Sequence, residues 1–419
     1  LQKDSLAIRD FDKALELLKD NAKVYNNRGI AKSNLGDEKE ARKDYNKALE
    51  INANDPDLYN NIGIARYKNS EFQPAIADLT KAITKFSSNA EYYYNRGVVN
   101  YELKEFEAAQ ADFTKAIELN PNNSDAYFNR AVINCDTYNY TNAIEDYDKT
   151  IEIRPKSAKA FYNRANAKQQ IRDYSGAVDD YNKAIQLNPK VTKAYQNRAA
   201  ARVEAKDFAG AVEDYTKLLE LNPKEDNYLI NRAVAKSKIE DYSGAQVDLA
   251  QVITQSPTNA KAYYCRGVLR DDLKDFRGAI EDYTKAIEIN PSYESYFNRG
   301  IANNEIEEYQ LAIIDYTKAI NIDSLDSKAY INRGISKLNM ESRKAAIADF
   351  KRALDINPDD ATVYYNLGVL NNRKKYYSEA IENYTKAILI NPKYAKAYYN
   401  RGVLYRKMNN LDSALLDFN

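Results

Sequence analysis

Apolar residues recur at intervals of three and four along nearly the whole chain, the spacing that lines one face of an α-helix. In the stretch from Ala158, Phe161, Ala165 and Lys168 fall at this spacing, and a break follows at Ile171-Arg172-Asp173-Tyr174. A second stripe then runs through Ala177, Val178, Tyr181, Ala184, Ile185 and Leu187 to Asn188-Pro189. It stops there because the residue before a proline is pushed out of the helical region. The spacing predicts two amphipathic helices of three to four turns, joined by a short turn. The same pair recurs along the chain. Asn27-Arg28-Gly29, Asn61-Ile62-Gly63, Asn95-Arg96-Gly97 and Asn129-Arg130-Ala131 lie 34 residues apart. The series continues at Asn163, Asn197, Asn231 and Cys265, shortens once to 33 at Asn298, and resumes at Asn332, Asn366 and Asn400. The missing residue falls between Pro291 and Asn298, in an inter-repeat turn where a deletion is best tolerated. Paired helices at this period predict an all-α fold, an α-solenoid of helix-turn-helix units. They replace the two or three domains that 419 residues would otherwise suggest.

The copies start near residues 22, 56, 90, 124, 158, 192, 226, 260, 293, 327, 361 and 395. Counting from each start, position 4 is tyrosine in ten copies, with Phe161 and Leu229 in the others. Position 20 is alanine in all twelve, from Ala41 to Ala414, and eight copies carry proline at position 32, from Pro121 to Pro392. An alanine kept in register twelve times predicts a helix crossing too close for a larger side chain, where overpacking costs roughly 1–3 kcal/mol. This pattern resembles the tetratricopeptide repeat over nearly the whole chain. That family has a large aromatic at 4, a small residue at 8, alanine at 20, an aromatic at 24, alanine at 27 and proline at 32. Tyrosine here replaces the family's tryptophan at position 4. The resemblance implies a single continuous solenoid over 1–419, coiled as a right-handed superhelix of about twelve units. Residues 1–20 then hold a partial second helix, with Asp10-Phe11 and Lys13-Ala14-Leu15 matching Asp44-Tyr45 and Lys47-Ala48-Leu49, and Asn419 truncates the last copy.

The resemblance also implies that the first helices line a concave groove, into which positions 2, 5, 6, 9, 12 and 13 look. Position 5 holds Tyr94, Phe128, Tyr162, Tyr264, Phe297, Tyr365 and Tyr399. These rings either floor a peptide groove or pack between adjacent first helices. Position 9 is mostly Ile or Val, including Ile30, Val98, Val234 and Val268, and reads as packing. Position 6 is asparagine in eleven copies: Asn27, Asn61, Asn95, Asn129, Asn163, Asn197, Asn231, Asn298, Asn332, Asn366 and Asn400. Asparagine competes with the helical backbone for hydrogen bonds, so its recurrence in mid-helix needs a cause. Its amide offers one acceptor and two donors, the complement of a peptide unit. The row resembles the asparagine ladder in the repeat domain of O-linked N-acetylglucosamine transferase, which grips extended peptide backbone. The competing account is that each asparagine ties its helix to the next repeat. Arginine at position 7 in ten copies and aspartate at position 23 in eleven suggest a bidentate internal brace. Leu367 coincides with Asn383, as a pair requires, whereas Ile62 coexists with Asp78. The charge alternation of the second helices reads as a solvated outer face. No copy has the lysine at 5 or arginine at 6 that a chaperone-tail clamp of this family needs.

Composition narrows the function. With 61 basic and 61 acidic residues there is no basic surplus for nucleic acid. Histidine is absent, which removes the usual general base and the commonest metal ligand. No glycine-rich phosphate loop is present, and Asp271-Asp272 are adjacent on a helix and face different directions. Cys135 and Cys265, about four repeats apart, are too distant to bridge. No apolar run reaches the length of a membrane span. Three Asn-x-Ser/Thr sequons, at Asn122, Asn139 and Asn383, are explained by composition unless the chain is secreted. The expectation is a non-enzymatic interaction scaffold without cofactor or metal, binding an extended peptide or protein segment in its groove. The alternative is a structural subunit that self-associates through uncapped ends into a filament or longer array.

Overall fold

Twelve of the helices are thirteen residues long, and the helix following each of the first eleven is fourteen. A three-residue turn inside each pair and a four-residue connector between pairs complete the 34-residue period. The computed structural model describes residues 2–419. It opens with α1 (Gln2–Leu17), which lies where the partial second helix is expected; Leu1, part of that expectation, is outside the described residues. The chain packs as two compact units, Leu1–Asp214 and Tyr215–Asn419. In the first unit the leading helices of each pair are α2 (Ala22–Asn34), α4 (Pro56–Lys68), α6 (Ala90–Glu102), α8 (Ser124–Asp136), α10 (Ala158–Gln170) and α12 (Thr192–Glu204). Their partners are α3 (Glu38–Ile51), α5 (Phe72–Lys85), α7 (Phe106–Leu119), α9 (Tyr140–Ile153), α11 (Tyr174–Leu187) and α13 (Phe208–Leu221), and the unit boundary lies within α13. In the second unit the leading helices are α14 (Asp226–Lys238), α16 (Ala260–Asp272), α18 (Tyr293–Glu305), α20 (Ser327–Asn339), α22 (Ala361–Arg373) and α24 (Ala395–Lys407). They alternate with α15 (Tyr242–Gln255), α17 (Phe276–Ile289), α19 (Tyr309–Ile322), α21 (Arg343–Ile356), α23 (Tyr377–Ile390) and α25 (Leu411–Phe418). All 25 described elements are helices. The connector between α17 and α18 is one residue short and holds the 33-residue step.

Each hairpin closes on its small residues. The position-20 alanines are fully buried, Ala41, Ala75, Ala109 and Ala143 among them. At position 8 the ring of position 24 lies on the backbone. A Cβ added at Gly29 would come within 2.7 Å of the Tyr45 ring, and one at Gly267 within 2.7 Å of Tyr283. Real side chains do not approach so closely, so only the smallest residues fit beneath a ring. The turn from first to second helix is a left-handed cap. Its central residue has positive φ at Ser70, Lys104, Tyr138, Arg172 and their counterparts, and only Gly36 is glycine. In the third copy Lys104 N–H donates to Tyr101 C=O (2.8 Å) and Glu105 N–H to Asn100 C=O (2.9 Å), which satisfies carbonyls at the helix end. Side-chain oxygens of Asn89, Asn123, Ser157 and Asn259 accept amide protons at the starts of α6, α8, α10 and α16.

Successive leading helices touch one another as well as their partners. In the first unit α2 meets α4, α4 meets α6, α6 meets α8, and α10 meets α12. In the second α14 meets α16, α16 meets α18, α18 meets α20, and α20 meets α22. Each unit therefore has one face built from its leading helices, where positions 5, 6 and 9 of consecutive copies lie side by side.

Candidate functional site

The charged brace is the strongest recurring polar element. Arg96 Nε and Nη2 donate to the two oxygens of Asp112 at 3.0 and 2.7 Å, and Arg130 does the same to Asp146 at 2.9 and 2.7 Å. The fork recurs at Arg28–Asp44, Arg164–Asp180, Arg198–Asp214, Arg232–Asp248, Arg266–Asp282, Arg299–Asp315, Arg333–Asp349 and Arg401–Asp417. The remaining nitrogen reaches the preceding repeat: Arg130 Nη1 donates to Thr114 Oγ1 at 3.1 Å, and Arg333 Nη1 to Thr317 Oγ1 at 3.0 Å. The position-4 ring covers the guanidinium, with Tyr127 5.7 Å from Arg130 Cζ. Asp146, only 5% exposed, is thus fully engaged. Its hydrogen bonds raise Arg130 above its ordinary pKa against the opposing effect of burial, reinforcing the charged form. These guanidinium groups are committed to the fold rather than to a ligand.

Position 11 supplies a further donor to the same aspartate. Lys32, Lys168, Arg202, Lys236, Arg270 and Lys337 do so as cations, and Asn100, Asn134 and Asn303 as amides. This resolves the Ile62 exception: Arg66, at position 11 of that copy, takes Asp78 itself. Where Leu367 leaves the brace without its arginine, Asn383 replaces the carboxylate and donates to its own helix at Glu379 C=O, 2.8 Å.

The position-6 asparagines are half-buried, apart from exposed Asn27, and their bonds to a neighbouring repeat run chiefly to position 5 of the preceding copy. Asn129 Nδ2 donates to Tyr94 Oη (3.2 Å), Asn197 to Tyr162 Oη (3.1 Å), Asn298 to Tyr264 Oη (3.0 Å) and Asn400 to Tyr365 Oη (3.1 Å). Asn61 and Asn95 donate instead to Asn26 and Asn60, each at 2.9 Å. The tie is missing wherever the upstream residue lacks an acceptor, and also at Asn231, although Gln196 upstream carries one. Phe297 offers no acceptor, and no such bond is made by Asn332; Ile331 offers none, and Asn366 turns back to Thr362 C=O at 2.8 Å. After Phe128, Asn163 lies against the Tyr147 hydroxyl. Upstream of Cys265 stands buried Ile230. Asn27 and Asn231 make no amide bond of this kind. Asn197 gives its second N–H to Asn166 Oδ1 at 3.0 Å, while the other tied amides keep a carbonyl oxygen and one N–H that these bonds leave unused.

Each position-5 ring rests on the position-24 ring of its own copy: Tyr94 on Phe113 (5.8 Å between centroids), Phe128 on Tyr147 (5.6 Å), Tyr162 on Tyr181 (5.9 Å) and Tyr264 on Tyr283 (5.9 Å). Phe297, Tyr365 and Tyr399 repeat the contact with Tyr316, Tyr384 and Phe418. The rings are half-buried, except for Tyr399 at 63% exposure. Burial raises the Tyr94 and Tyr264 hydroxyls above their ordinary pKa, so they stay neutral donors and acceptors. Position 9 is half-buried beside them, with Val234 exposed. Among the described residues no group of three or more His, Cys, Asp or Glu side chains is arranged to hold a metal ion, and no helix is long and apolar enough to cross a membrane. Cys135 and Cys265 are free thiols. The face offers amide edges, aromatic rims and aliphatic patches, the means of non-covalent recognition.

Family models described as tetratricopeptide repeat match residues 90–123, 158–191 and 260–293, then 113–145, and 192–225 with 293–324. A model described as TPR repeat matches 33–70, 344–375 and 373–409. No curated protein matches the chain. Among solved structures, MamA is 28% identical with a TM-score of 0.38, covering 41% of this chain and 94% of its own. YrrB, described as a TPR protein with an unusual peptide-binding site, is 25% identical with a TM-score of 0.39, covering 45% and 97%. Cut9, in the APC/C Cut9–Hcn1 hetero-tetramer, is 16% identical with a TM-score of 0.43, covering 99% and 89%. With the family's models matched along most of its length, the chain belongs to the tetratricopeptide repeat family, whose members are generally non-catalytic scaffolds that bind protein or peptide partners.

Proposed function

We propose that the face formed by the leading helices holds an extended segment of a partner protein. The observation that carries this reading is the alignment of half-exposed amides and aromatic edges at positions 5 and 6 on helices that touch one another. An extended chain presents one donor and one acceptor per residue, and the carbonyls and spare N–H groups of the asparagine row complement them. Asn27, Asn231 and Asn332, free of inter-repeat bonds, have the whole amide to offer. The brace arginines contribute architecture, and specificity falls to the aromatic and charged neighbours of the row. A photo-cross-linking amino acid placed at Val98, on the leading-helix face of α6, or at the exposed Glu107 of α7, tests this. Cross-links to one contiguous partner stretch from position 98 and none from position 107 support the reading; cross-links from position 107 alone reject it.

A further inference from the structure

We infer that the break in the asparagine row at Cys265 opens a pocket for one apolar side chain of the bound segment, an inference that rests on the groove reading above. Two replacements coincide between α14 and α16. Position 24 is aromatic in ten copies but leucine at Leu249, and position 6 of the next copy is Cys265 where asparagine is the rule. The first change also occurs without the second: the copy with Leu79 is followed by Asn95, whose amide is anchored on Asn60. Where a ring and an amide would stand, a cavity of about 220 Å³ remains, lined chiefly by Ala233, Val234, Leu249, Tyr264, Cys265 and Val268. An apolar cavity of about 150 Å³ already accommodates a benzene ring.

The lining makes no polar demand on an occupant. Tyr264 Oη accepts from Asn298 at 3.0 Å, and Ser237 Oγ donates to Val234 C=O at 2.8 Å. Burial raises the Cys265 thiol above its ordinary pKa, so it is neutral near pH 7 and behaves as a small apolar group. A branched aliphatic or aromatic side chain fits this surface. Two charges stand at the rim on facing helices: Lys238 on α14 and Asp272 on α16, both exposed and neither joined to an ion-pair partner among the described residues. The complementary ligand carries an acidic residue on the α14 side of its anchor and a basic residue on the α16 side. Desolvated anchors of this kind carry a large share of binding energy.

The test is selection from a random peptide library displayed on phage, using the full 419-residue chain. The wild type is compared with the double variant L249Y/C265N, which restores the residues typical of other copies, and with C265L, which fills the cavity without adding a polar group. Circular dichroism confirms that each variant keeps its helix content. Wild-type selection should enrich peptides sharing Leu, Ile, Met or Phe at one position, flanked by opposite charges. Their affinity should fall at least roughly tenfold on either variant, the effect of losing one buried apolar side chain. If the same peptides bind all three chains equally, the pocket is wrong and the groove reading stands. If no peptide is enriched on any chain, the groove reading fails and takes the pocket with it.

Discussion

Asn298→Ala and Asn332→Ala separate the two roles of the asparagine row. Both occupy position 6 of leading helices in the second unit, and both are half-buried. Asn298 Nδ2 donates to Tyr264 Oη at 3.0 Å, whereas Phe297 leaves Asn332 without an upstream acceptor. Losing an intramolecular hydrogen bond costs about 0.5–1.5 kcal/mol. Alanine returns about 0.5 kcal/mol in either helix through its higher propensity. Asn298→Ala should therefore destabilise by up to about 1 kcal/mol, and Asn332→Ala should be neutral or stabilise by about 0.5 kcal/mol. Urea unfolding followed by circular dichroism reads the difference, and amide exchange in α16, α18 and α20 localises it, since repeat arrays need not unfold in one step. Peptide affinity should respond in the opposite sense, with the larger loss from Asn332→Ala, whose amide is wholly available. Equal destabilisation by the two changes would refute the assignment of inter-repeat ties.

Arg130→Leu leaves the buried Asp146 carboxylate with Asn134 as its remaining side-chain donor, and should destabilise by about 3 kcal/mol in chemical unfolding. Adding Asp146→Asn recreates the Leu367–Asn383 combination and should recover most of that loss; no recovery would show that the brace is not the cause. Arg172→Gly relieves a left-handed turn position (φ 63°) and should stabilise by about 0.5–1 kcal/mol; a lowered melting temperature would contradict the strain argument. Tyr101, through burial and its bond to Asp136, and Tyr384, through burial, have hydroxyls pushed up to about 12 from 10.0. Above the unfolded value the unfolded chain ionises while the folded one does not, so this contribution is present below about pH 10 and lost as pH rises towards 12. Melting temperature should fall across that window as tyrosinate absorbance appears with unfolding, and an unchanged melting temperature would contradict it.

The repeat, its register and its helical class were legible because packing imposes them on residue size. Alanine at position 20 and glycine or alanine at position 8 mark backbones and rings in close contact, and no other chemistry explains them so simply. The brace was half legible: the Arg–Asp pairing showed in the Leu367–Asn383 co-change, but Arg66 acts from another position and escaped a reading of position 7 alone. The left-handed turns gave no signal, since Lys104, Tyr138 and Arg172 stand where glycine would announce the conformation. The asparagine row stands out by its poor helix propensity, yet its acceptors lie at position 5, one place off the motif and one copy upstream. Tyr94, Tyr162, Tyr264 and Tyr365, each one copy before a tied asparagine, were the signal that links the two positions. Whether an open amide meets a partner depends on a second molecule, which no pattern within one chain encodes.

If the leading helices meet the partner while their companions brace them, the two sets of helices must respond differently to a bound peptide. Hydrogen–deuterium exchange of the full chain, with and without a saturating library-selected peptide, tests this most directly. Slowed backbone exchange should concentrate on consecutive leading helices, such as α14, α16 and α18, with α15, α17 and α19 little changed. Protection confined to the second helices, with the leading helices exchanging as in the free chain, would contradict it.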